Sequence, residues 1–230
     1  MYKQLPLSIT LQVDATFDNY FTSDGNVLPV EALQYFCQHP QEPFFYLSGP
    51  SGSGVTHLLQ AVQHQLSQFN VQYWPLKELM THPAEDMFLE LDSLDMVILD
   101  DLELMAGKTE WELVLFHLYN RLRDSGKQLL IGAHFTPKEL EVNLSDLKSR
   151  LQWGISYRLQ SLNDNDKKRA LIFRADALGL RLNDDVTQFI LNHCCRDIRQ
   201  LMFLLDIMDK ASLAEKRQLT IPFVKRVLGL

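Results

Sequence analysis

The sequence has few cysteines and no long apolar segment. These two absences argue against a disulfide-stabilised secreted protein and against a membrane-spanning one. Three cysteines, two of them adjacent (Cys194 and Cys195), offer no disulfide framework and favour the reducing cytoplasm. No apolar run reaches the roughly 18 residues that cross a bilayer. The first residues, MYKQLPLSIT, lack the basic-then-apolar pattern of a secretory signal. We therefore expect a cytoplasmic protein without a membrane partner.

Positive charge is scarce in the front part of the chain. Residues 1–157 carry 9 Lys and Arg against 20 Asp and Glu, whereas residues 158–230 carry 13 against 9. Nonspecific binding to duplex DNA requires a basic footprint, which the acidic part does not supply. The mildly basic part faces an acidic partner, a nucleotide or the acidic front part of the same chain, or it is an ordinary solvated surface. The composition leaves these alternatives open.

Short apolar runs alternate with segments of helical periodicity up to about residue 160. The runs predict strands at 44–48, 71–75, 96–100, 128–133 and 155–160. The periodic segments predict helices at 28–37, 55–68, 110–124 and 137–151. Continuous apolar strands separated by helices indicate a parallel sheet that is covered on both faces.

Only helices are predicted after residue 160. Asn163 or Asp164 can cap the first of them, which ends before Gly179. Further helices are predicted at 183–195, 197–213 and 220–228. His193 and the adjacent Cys194 and Cys195 have no second ligand cluster at a zinc-like spacing, so they are predicted to belong to the core.

The segment GPSGSGVTH, at 49–57, follows a predicted strand and opens a predicted helix. It matches the phosphate-loop pattern G-x-x-x-x-G-K-[ST] at every fixed position except the lysine, which is replaced by valine. Glycines allow backbone N–H groups to converge on phosphate oxygens, and the helix N-terminus attracts the anion. We expect nucleotide contacts from Pro50, Ser51, Gly52, Ser53, Gly54, Val55, Thr56 and His57. The alternative is a glycine-rich turn that binds no ligand.

A second predicted strand ends in two acids, MVILDD, at Asp100 and Asp101. Because parallel strands end at a common edge, these carboxylates are expected beside the phosphate loop. Asp100 would hold Mg²⁺ through water together with the hydroxyl of Thr56. Asp101 would orient or activate water as a catalytic residue. The alternative is an exposed acidic turn.

These motifs, in this order, resemble the AAA+ nucleotide-binding module, and most closely the bacterial DnaA family with its shorter regulators of the Hda type. The resemblance covers nearly the whole chain. Its segments are TFDNY (16–20), the loop at 49–57, VILDD, LLIGAHFTPKEL (129–140), LKSRLQWG (147–154), RDIRQL (196–201) and LTIPFVKRVL (219–228). It implies an AAA+ P-loop domain with a five-stranded parallel sheet, and a small C-terminal helical lid domain. The implied domains are a clamp-binding tail at 1–13, the α/β domain at 14–160 and the lid at 161–230.

The resemblance also implies residues around the nucleotide. His134 takes the sensor-1 position, which reads the γ-phosphate, and Arg199 takes the sensor-2 position of the lid. Tyr20 and Phe21 lie where the family contacts the base or its surroundings. Arg199 has a simpler alternative, an ion pair with Asp197 or Asp206 on the lid surface.

Arg150 takes the position of the arginine finger, which in such assemblies points into the nucleotide of a neighbouring subunit. A planar, permanently charged guanidinium suits the spread charge of a phosphate. The alternative is a helix-end arginine that complements the dipole, worth about 0.3–1 kcal/mol.

Val55 departs from the family pattern and changes what the site is expected to do. Backbone amides can still hold a diphosphate, but without lysine the site should be a poor hydrolase by itself. The resemblance implies an ADP-bound working state, with the nucleotide as a structural ligand. The base preference, a bound Mg²⁺ and a residual ATPase activity are left open.

The tail contains QLPL, in which Gln4, Leu5 and Leu7 resemble the peptide that binds the DNA polymerase sliding clamp (beta subunit). An extended tail is accessible for such docking; the alternative is a terminal strand or an unbound tail. DnaA continues past its lid into a DNA-binding helix-turn-helix domain, whereas this chain ends at Leu230. No sequence-specific DNA binding is therefore expected.

The leading interpretation is an Hda-like regulator of chromosomal replication initiation. With the sliding clamp, it would stimulate ATP hydrolysis by DnaA through Arg150 in trans and so prevent re-initiation. Two other functions stay open: an autonomous AAA+ ATPase such as a helicase loader or remodeller, and a nucleotide-binding scaffold that only recruits partners. Self-association that hides Arg150 also stays open.

Overall fold

The structure is a computed structural model that describes residues 15–88, 91–194 and 197–229, with the backbone only of Asp86 and Asp92. It contains two compact units, which meet in the sequence between Gln160 and Ser161. Among the described residues, no helix is both long and apolar enough to span a membrane.

The first unit is built on a sheet of five parallel strands, as predicted. The strands are β1 (Phe44–Ser48), β2 (Val71–Pro75), β3 (Met96–Asp100), β4 (Gln128–Ala133) and β5 (Ile155–Arg158), in the order β2-β3-β4-β1-β5. The predicted fifth strand is two residues too long. Beyond Arg158, the amide of Gln160 donates to Asn26 Oδ1 at 2.7 Å instead of continuing the strand.

Six α-helices within the described residues accompany this sheet: α1 (Val27–Gln38), α2 (Val55–Gln65), α3 (Leu76–Leu79), α4 (Ala84–Met87), α5 (Thr109–Asp124) and α6 (Ser145–Leu151). The predicted helix at 137–151 is wrong in its first half, because α6 begins only at Ser145. Glu112 binds the backbone immediately before α6, inside the segment predicted to be helical. Its carboxylate accepts the amide of Asn143 at 3.0 Å and that of Leu144 at 2.8 Å.

Strand side chains alternate between two apolar clusters, one on each face of the sheet. Tyr46, Leu99 and Ile131 belong to the cluster that includes residues of α3 to α6. Their neighbours along the strands, such as Leu47 and Ile98, belong to the cluster that includes α1 and α2. The three central strands, β1, β3 and β4, are buried on both faces, which explains why they are nearly continuous apolar runs. The edge strands β2 and β5 are partly exposed.

The described part of the second unit contains four helices: α7 (Asp164–Ala177), α8 (Asp184–His193), α9 (Ile198–Glu215) and α10 (Ile221–Leu228). Their N-termini are capped by the side chains of Asn163, Asn183, Asp197 and Thr220. Each cap accepts a first-turn amide that has no partner within the helix. Their apolar faces share one core, which includes Leu171, Ile190 and Leu205.

The predicted burial of the His193 group is wrong for His193 itself. This residue ends α8 with an exposed ring, which stacks on Phe189 at a centroid distance of 4.1 Å. Cys194 is half-buried, and Cys195 lies outside the described residues.

Candidate functional site

The phosphate loop connects β1 to α2 at the carboxyl edge of the sheet. Gly52 and Gly54 have φ angles of 81° and 95°, which residues with a Cβ rarely adopt. The amide of Gly49 donates to the carbonyl of Ala133 at 3.1 Å, which anchors the loop to the end of β4. Gly54 precedes α2 without a side-chain cap. The first amides of α2 therefore offer donors to an anion.

Ser53 is a buried polar residue within this loop. Among the described residues, no group forms a hydrogen bond with its hydroxyl. The Oγ atom lies over Gly49, at a place that a Cβ on that glycine would overlap. A buried polar group without a partner costs about 1–3 kcal/mol, which a ligand such as a phosphate oxygen would offset.

Tyr20 packs across the end of the phosphate loop. Its hydroxyl donates to the carbonyl of Ser53 at 2.9 Å, and its ring lies against Gly54. Burial raises the pKa of Tyr20 to about 12, so the phenol stays protonated and remains a donor. His57 lies beside this ring at a centroid distance of 5.6 Å, and its Nε2 is 2.9 Å from the carbonyl of Thr16.

Val55, at the position of the missing lysine, is part of the core rather than of the phosphate pocket. The side chain is buried and belongs to the same apolar cluster as Leu59. It points at Gly132 of β4, where an added Cβ would lie 2.9 Å from Val55 Cγ1 and 2.9 Å from Asp100 Oδ1. The absence of a side chain at Gly132 thus makes room for both residues.

Asp100 is buried at the end of β3, where two protein donors hold its carboxylate. The Tyr73 hydroxyl donates to Oδ2 at 2.7 Å, and the amide of Asp101 donates to Oδ1 at 2.9 Å. Burial and the Asp100 charge raise the pKa of Tyr73. Each oxygen of the Asp100 carboxylate still has a lone pair that can accept a further hydrogen bond. The other residue predicted to hold Mg²⁺ is Thr56, which is exposed. This donor set fits Mg²⁺ held through water.

Asp101, Glu103 and His134 form a polar cluster beside Asp100. One ligand atom from each lies within 4.8 Å of the others, so the cluster could hold a metal ion. His134, at the predicted sensor-1 position, follows β4; its amide donates to Glu103 Oε2 at 3.1 Å, and its Nδ1 contacts Oε1. Burial, followed by the charges of Asp100 and Glu103, raises the pKa of Asp101. A carboxyl with a raised pKa is suited to accepting a proton from water.

Arg150 lies in the last turn of α6 and is half-buried. Its Cζ is 6.0 Å from the centroid of the Tyr119 ring and 5.8 Å from that of Trp153. No aspartate or glutamate within the described parts of the chain forms an ion pair with it. Its positive charge is therefore not neutralised by a neighbouring carboxylate there.

Glu112 connects α5 to the start of α6. This carboxylate is buried, and it accepts the amide of Gly107 at 2.8 Å, that of Asn143 at 3.0 and 3.1 Å, and that of Leu144 at 2.8 Å. Backbone donors offset the cost of burying a carboxylate. The contact fixes the chain immediately before α6, the helix that carries Arg150.

Arg199, predicted as the sensor-2 residue, is exposed in the first turn of α9. Its Nη2 is 3.1 Å from Asp197 Oδ2, and Asp197 also caps the helix. This hydrogen bond raises the pKa of Arg199. An ion pair with Asp197 is one of the two pairings considered from the sequence as an alternative to the sensor-2 role of Arg199. Asp206 instead lies 3.7 Å from Arg174.

Comparison with known families shows where this chain belongs. The family model of the bacterial DnaA ATPase domain matches residues 11–158, and that of the Hda lid domain matches residues 164–228. The chain is a DnaA-family AAA+ protein of the Hda type. The predicted resemblance and the predicted AAA+ fold with its helical lid are thereby confirmed.

Similar proteins share the sequence or the fold of this DnaA-family chain. It is 42% identical to an uncharacterized protein of Haemophilus influenzae over the whole length of both chains. Domain III of the Thermotoga maritima replication initiation protein DnaA has the same fold, with a TM-score of 0.80 and 24% identity over 96% of this chain and 98% of that one. AMPPCP-bound DnaA from Aquifex aeolicus has a TM-score of 0.74 and 22% identity over 88% of this chain and 67% of that one.

The DnaA-family assignment makes this chain a DnaA-related replication regulator. Its structure brings Tyr20 and His57 to the phosphate loop, while Phe21 is half-buried next to Tyr20 in the sequence. Pro50 and Gly52 are half-buried and Ser51 is exposed on the same loop. The tail residues Gln4, Leu5 and Leu7 lie outside the described residues.

Sequence reasoning missed four residues of this DnaA-family site: Glu103, Glu112, Tyr119 and Trp153. Glu103 lies two positions after Asp101, the last residue of MVILDD, so its place beside the acids could have been inferred from the spacing. Trp153 lies three residues after Arg150, within a turn of it. Glu112 and Tyr119 contact residues about 30 positions away in the chain, and no local signal indicates either contact.

Proposed function

We propose that this chain stimulates ATP hydrolysis by DnaA, with Arg150 completing the DnaA active site in trans, and thereby limits initiation of chromosomal replication. The observation that carries the proposal is the state of Arg150: its guanidinium has no carboxylate partner among the described residues and lies over two aromatic rings. Such an arginine keeps its full charge for an external anion. The DnaA and Hda family matches support DnaA as the protein that supplies this anion.

In this proposal the chemistry takes place in the DnaA site, and this chain contributes the cation. As the bond to the γ-phosphate breaks, negative charge develops on the phosphate oxygens. A guanidinium placed against them lowers the barrier, and a finger supplied in trans accelerates hydrolysis by about 10³–10⁵-fold in comparable systems. Arg150 neither forms a bond nor transfers a proton.

We further propose that the phosphate loop of this chain holds ADP as a structural ligand. The positive-φ glycines, the start of α2 without a side-chain cap, and the Ser53 hydroxyl, which has no hydrogen-bond partner in the described part of the chain, support a bound diphosphate. DnaA relatives of the same fold bind the nucleotide analogue AMPPCP. Thr56 and Asp100 would hold a Mg²⁺ ion through water, and this ion would neutralise phosphate charge when bound.

The site of this chain would hydrolyse its own nucleotide poorly. Val55 is used for packing against Gly132, so no ammonium reaches the phosphates from that position. Arg199 would contact the nucleotide as the sensor-2 residue if it exchanges its Asp197 partner for phosphate, and His134 would report on the γ-phosphate from its position after β4. Asp101 keeps the role of a water-orienting group, which matters only for residual turnover.

The tail residues Gln4, Leu5 and Leu7 are proposed to bind the sliding clamp. A clamp loaded on DNA would then place this chain and DnaA on the same template. Tethering converts their encounter into an intramolecular step with a raised effective concentration.

The test measures hydrolysis of ATP on DnaA in the presence of DNA-loaded clamp and this protein. We expect Arg150→Ala to abolish the stimulation, a loss of about 10³-fold or more. The matched control is Lys148→Ala, which removes a positive charge from the same helix and should leave the stimulation intact. Undiminished hydrolysis with Arg150→Ala would contradict the proposed function.

The autonomous ATPase is distinguished with the isolated protein. Steady ATP turnover without DnaA, lost on Asp101→Asn, would favour that function. We expect turnover close to background instead, with ADP retained through purification and detectable by mass spectrometry after denaturation.

A further inference from the structure

The guanidinium of Arg150 lies against two aromatic rings, which do not neutralise its positive charge. Its Cζ is 6.0 Å from the ring centroid of Tyr119 and 5.8 Å from that of Trp153. Ring faces attract a cation within about 6 Å through their quadrupole. A carboxylate at the same place would also orient the side chain, but it would neutralise the charge and compete with phosphate. Aromatic faces give orientation without that competition.

Tyr119 belongs to the rigid part of this arrangement. It lies on α5 with an almost fully buried side chain, edge-on to Phe44 of β1 at a centroid distance of 5.4 Å. Two turns earlier on α5, Glu112 accepts the backbone amides that precede α6. The same helix therefore fixes both the entry to α6 and the ring under its last turn.

Trp153 belongs to the exposed part of this arrangement. Its side chain is 64% exposed, but its backbone is anchored, because its amide donates to the carbonyl of Arg150 at 3.0 Å. The following residue, Gly154, has a φ angle of 102° and packs against Phe44. The turn from Arg150 to Gly154 thus places the Trp153 indole next to the Arg150 guanidinium. At this exposure the indole contributes little to the core, and its ring face is available for a cation–π contact with the guanidinium.

We propose that Tyr119 and Trp153 are positioning residues for Arg150: together they hold the guanidinium in the orientation that the DnaA nucleotide requires. This inference rests on the proposed function of Arg150. An arginine has many rotamers, and a finger that searches them after docking loses rate. The two rings restrict that search before DnaA binds. Trp153 therefore acts on the rate of hydrolysis through Arg150 and does not itself touch the phosphate.

The first test separates positioning from docking by kinetics. Trp153→Leu should lower the maximal rate of stimulated hydrolysis by about two- to fivefold, as expected for losing one exposed cation–π contact. The concentration of this protein that gives half-maximal stimulation should stay unchanged. Trp153→Phe keeps a ring face and should recover part of the rate. A change in half-maximal concentration alone would identify Trp153 as a docking contact and overturn the inference.

A double-mutant comparison shows whether Trp153 acts through Arg150. In an Arg150→Lys background, which retains a weaker cation, Trp153→Leu should have a smaller effect than in the wild type. Equal effects in both backgrounds would overturn the inference. Tyr119→Phe keeps the ring and should match the wild type, whereas a full loss of stimulation would assign the role to the hydroxyl instead.

The second test needs no DnaA. In a ¹⁵N-labelled sample, the Arg150 Nε–Hε resonance is assigned by its absence in Arg150→Lys. Ring currents should shift it upfield of exposed arginines, and Trp153→Leu should move it back toward them. An Arg150 resonance that Trp153→Leu leaves in place would overturn the inference.

The hydrolysis rate and the Arg150 resonance together distinguish a failure of the proposed function from a failure of the positioning role. If Arg150→Ala leaves stimulation intact, the proposed function fails, and the resonance still reports whether the rings hold the guanidinium. If Arg150→Ala abolishes stimulation but Trp153→Leu changes neither rate nor resonance, only the positioning role fails.

Discussion

The ring of Tyr20 lies so close to Gly54 that a Cβ on this glycine would be 2.5 Å from the Tyr20 Cε2 atom. Tyr20 comes from the TFDNY segment and Gly54 from the end of the phosphate loop. Their contact, together with the hydrogen bond from the Tyr20 hydroxyl to the Ser53 carbonyl, fastens the first segment to the loop. The shape of the loop therefore depends on a residue more than 30 positions earlier.

Gly54→Ala should weaken ADP binding by about tenfold or more, because the methyl group must displace either Tyr20 or the loop. The change should also reduce the free energy of unfolding by about 1–2 kcal/mol, since the φ angle of 95° is strained for alanine. Calorimetric titration with ADP measures the affinity. Gly107→Ala is the matched control: its φ is 79° and an added Cβ meets nothing within 4 Å, so only stability should fall. Wild-type affinity in Gly54→Ala would contradict the arrangement.

Val55→Lys should improve binding of ATP relative to ADP by about tenfold, since a charged hydrogen bond contributes about 1.5–3 kcal/mol. The same change removes a buried apolar side chain beside Gly132, so the protein should also be less stable. The ratio of the two dissociation constants is the measurement. Val55→Met has a similar length without the charge and should keep the wild-type ratio. If both variants give one ratio, position 55 does not reach the phosphates.

Glu112→Gln should lower the free energy of unfolding by about 1–3 kcal/mol, because an amide cannot accept every backbone N–H that the carboxylate now receives. It should also reduce stimulated hydrolysis, since the start of α6 loses its anchor. Urea unfolding at pH 7 tests the first effect. Glu110→Gln alters an exposed acid two residues earlier on the same helix and should be nearly neutral. Equal stability of the two variants would rule out the anchoring role.

Glu139 should make part of the stability of the α/β unit depend on pH. Hydrogen bonds from Thr136 and Arg158 lower its pKa from 4.5 to about 2. Because the folded pKa lies below the unfolded one, the stabilisation is fully present above pH 4.5 and is lost as the pH falls toward 2. The difference in stability between wild type and Glu139→Gln should therefore be largest at neutral pH and shrink below pH 4.5. A difference that stays constant from pH 7 to pH 3 would refute this linkage.

Elements whose signals are local were predicted well from the sequence. Four strands have the predicted bounds. Three of them, β1, β3 and β4, are buried on both faces, and such strands need a nearly unbroken apolar run. The lid cap at Asn163 was one of the two predicted, since a side chain that accepts the amide at 166 acts within one turn. The first half of the helix predicted at 137–151 does not form, and the amides of Asn143 and Leu144 there donate to the distant Glu112.

The candidate site divides in the same way. The phosphate loop and the acids at 100 and 101 were identified from spacing, because phosphate binding restricts backbone geometry locally. No local sequence signal indicates that the Tyr73 hydroxyl donates a hydrogen bond to Asp100, or that His134 contacts Glu103. The roles of the individual site residues remain predictions until the variants above are measured.

The sequence by itself determined the alternation of strands and helices, the glycines of the phosphate loop and the two acids at the end of β3, since each depends on neighbours within a few residues. Only the tertiary structure decided that Val55 packs against Gly132, that Glu112 anchors the start of α6, and that Arg150 lies over Tyr119. The physical reason is range: these contacts join residues far apart in the chain. They form only when the sheet and its helices bring distant segments within a few ångströms.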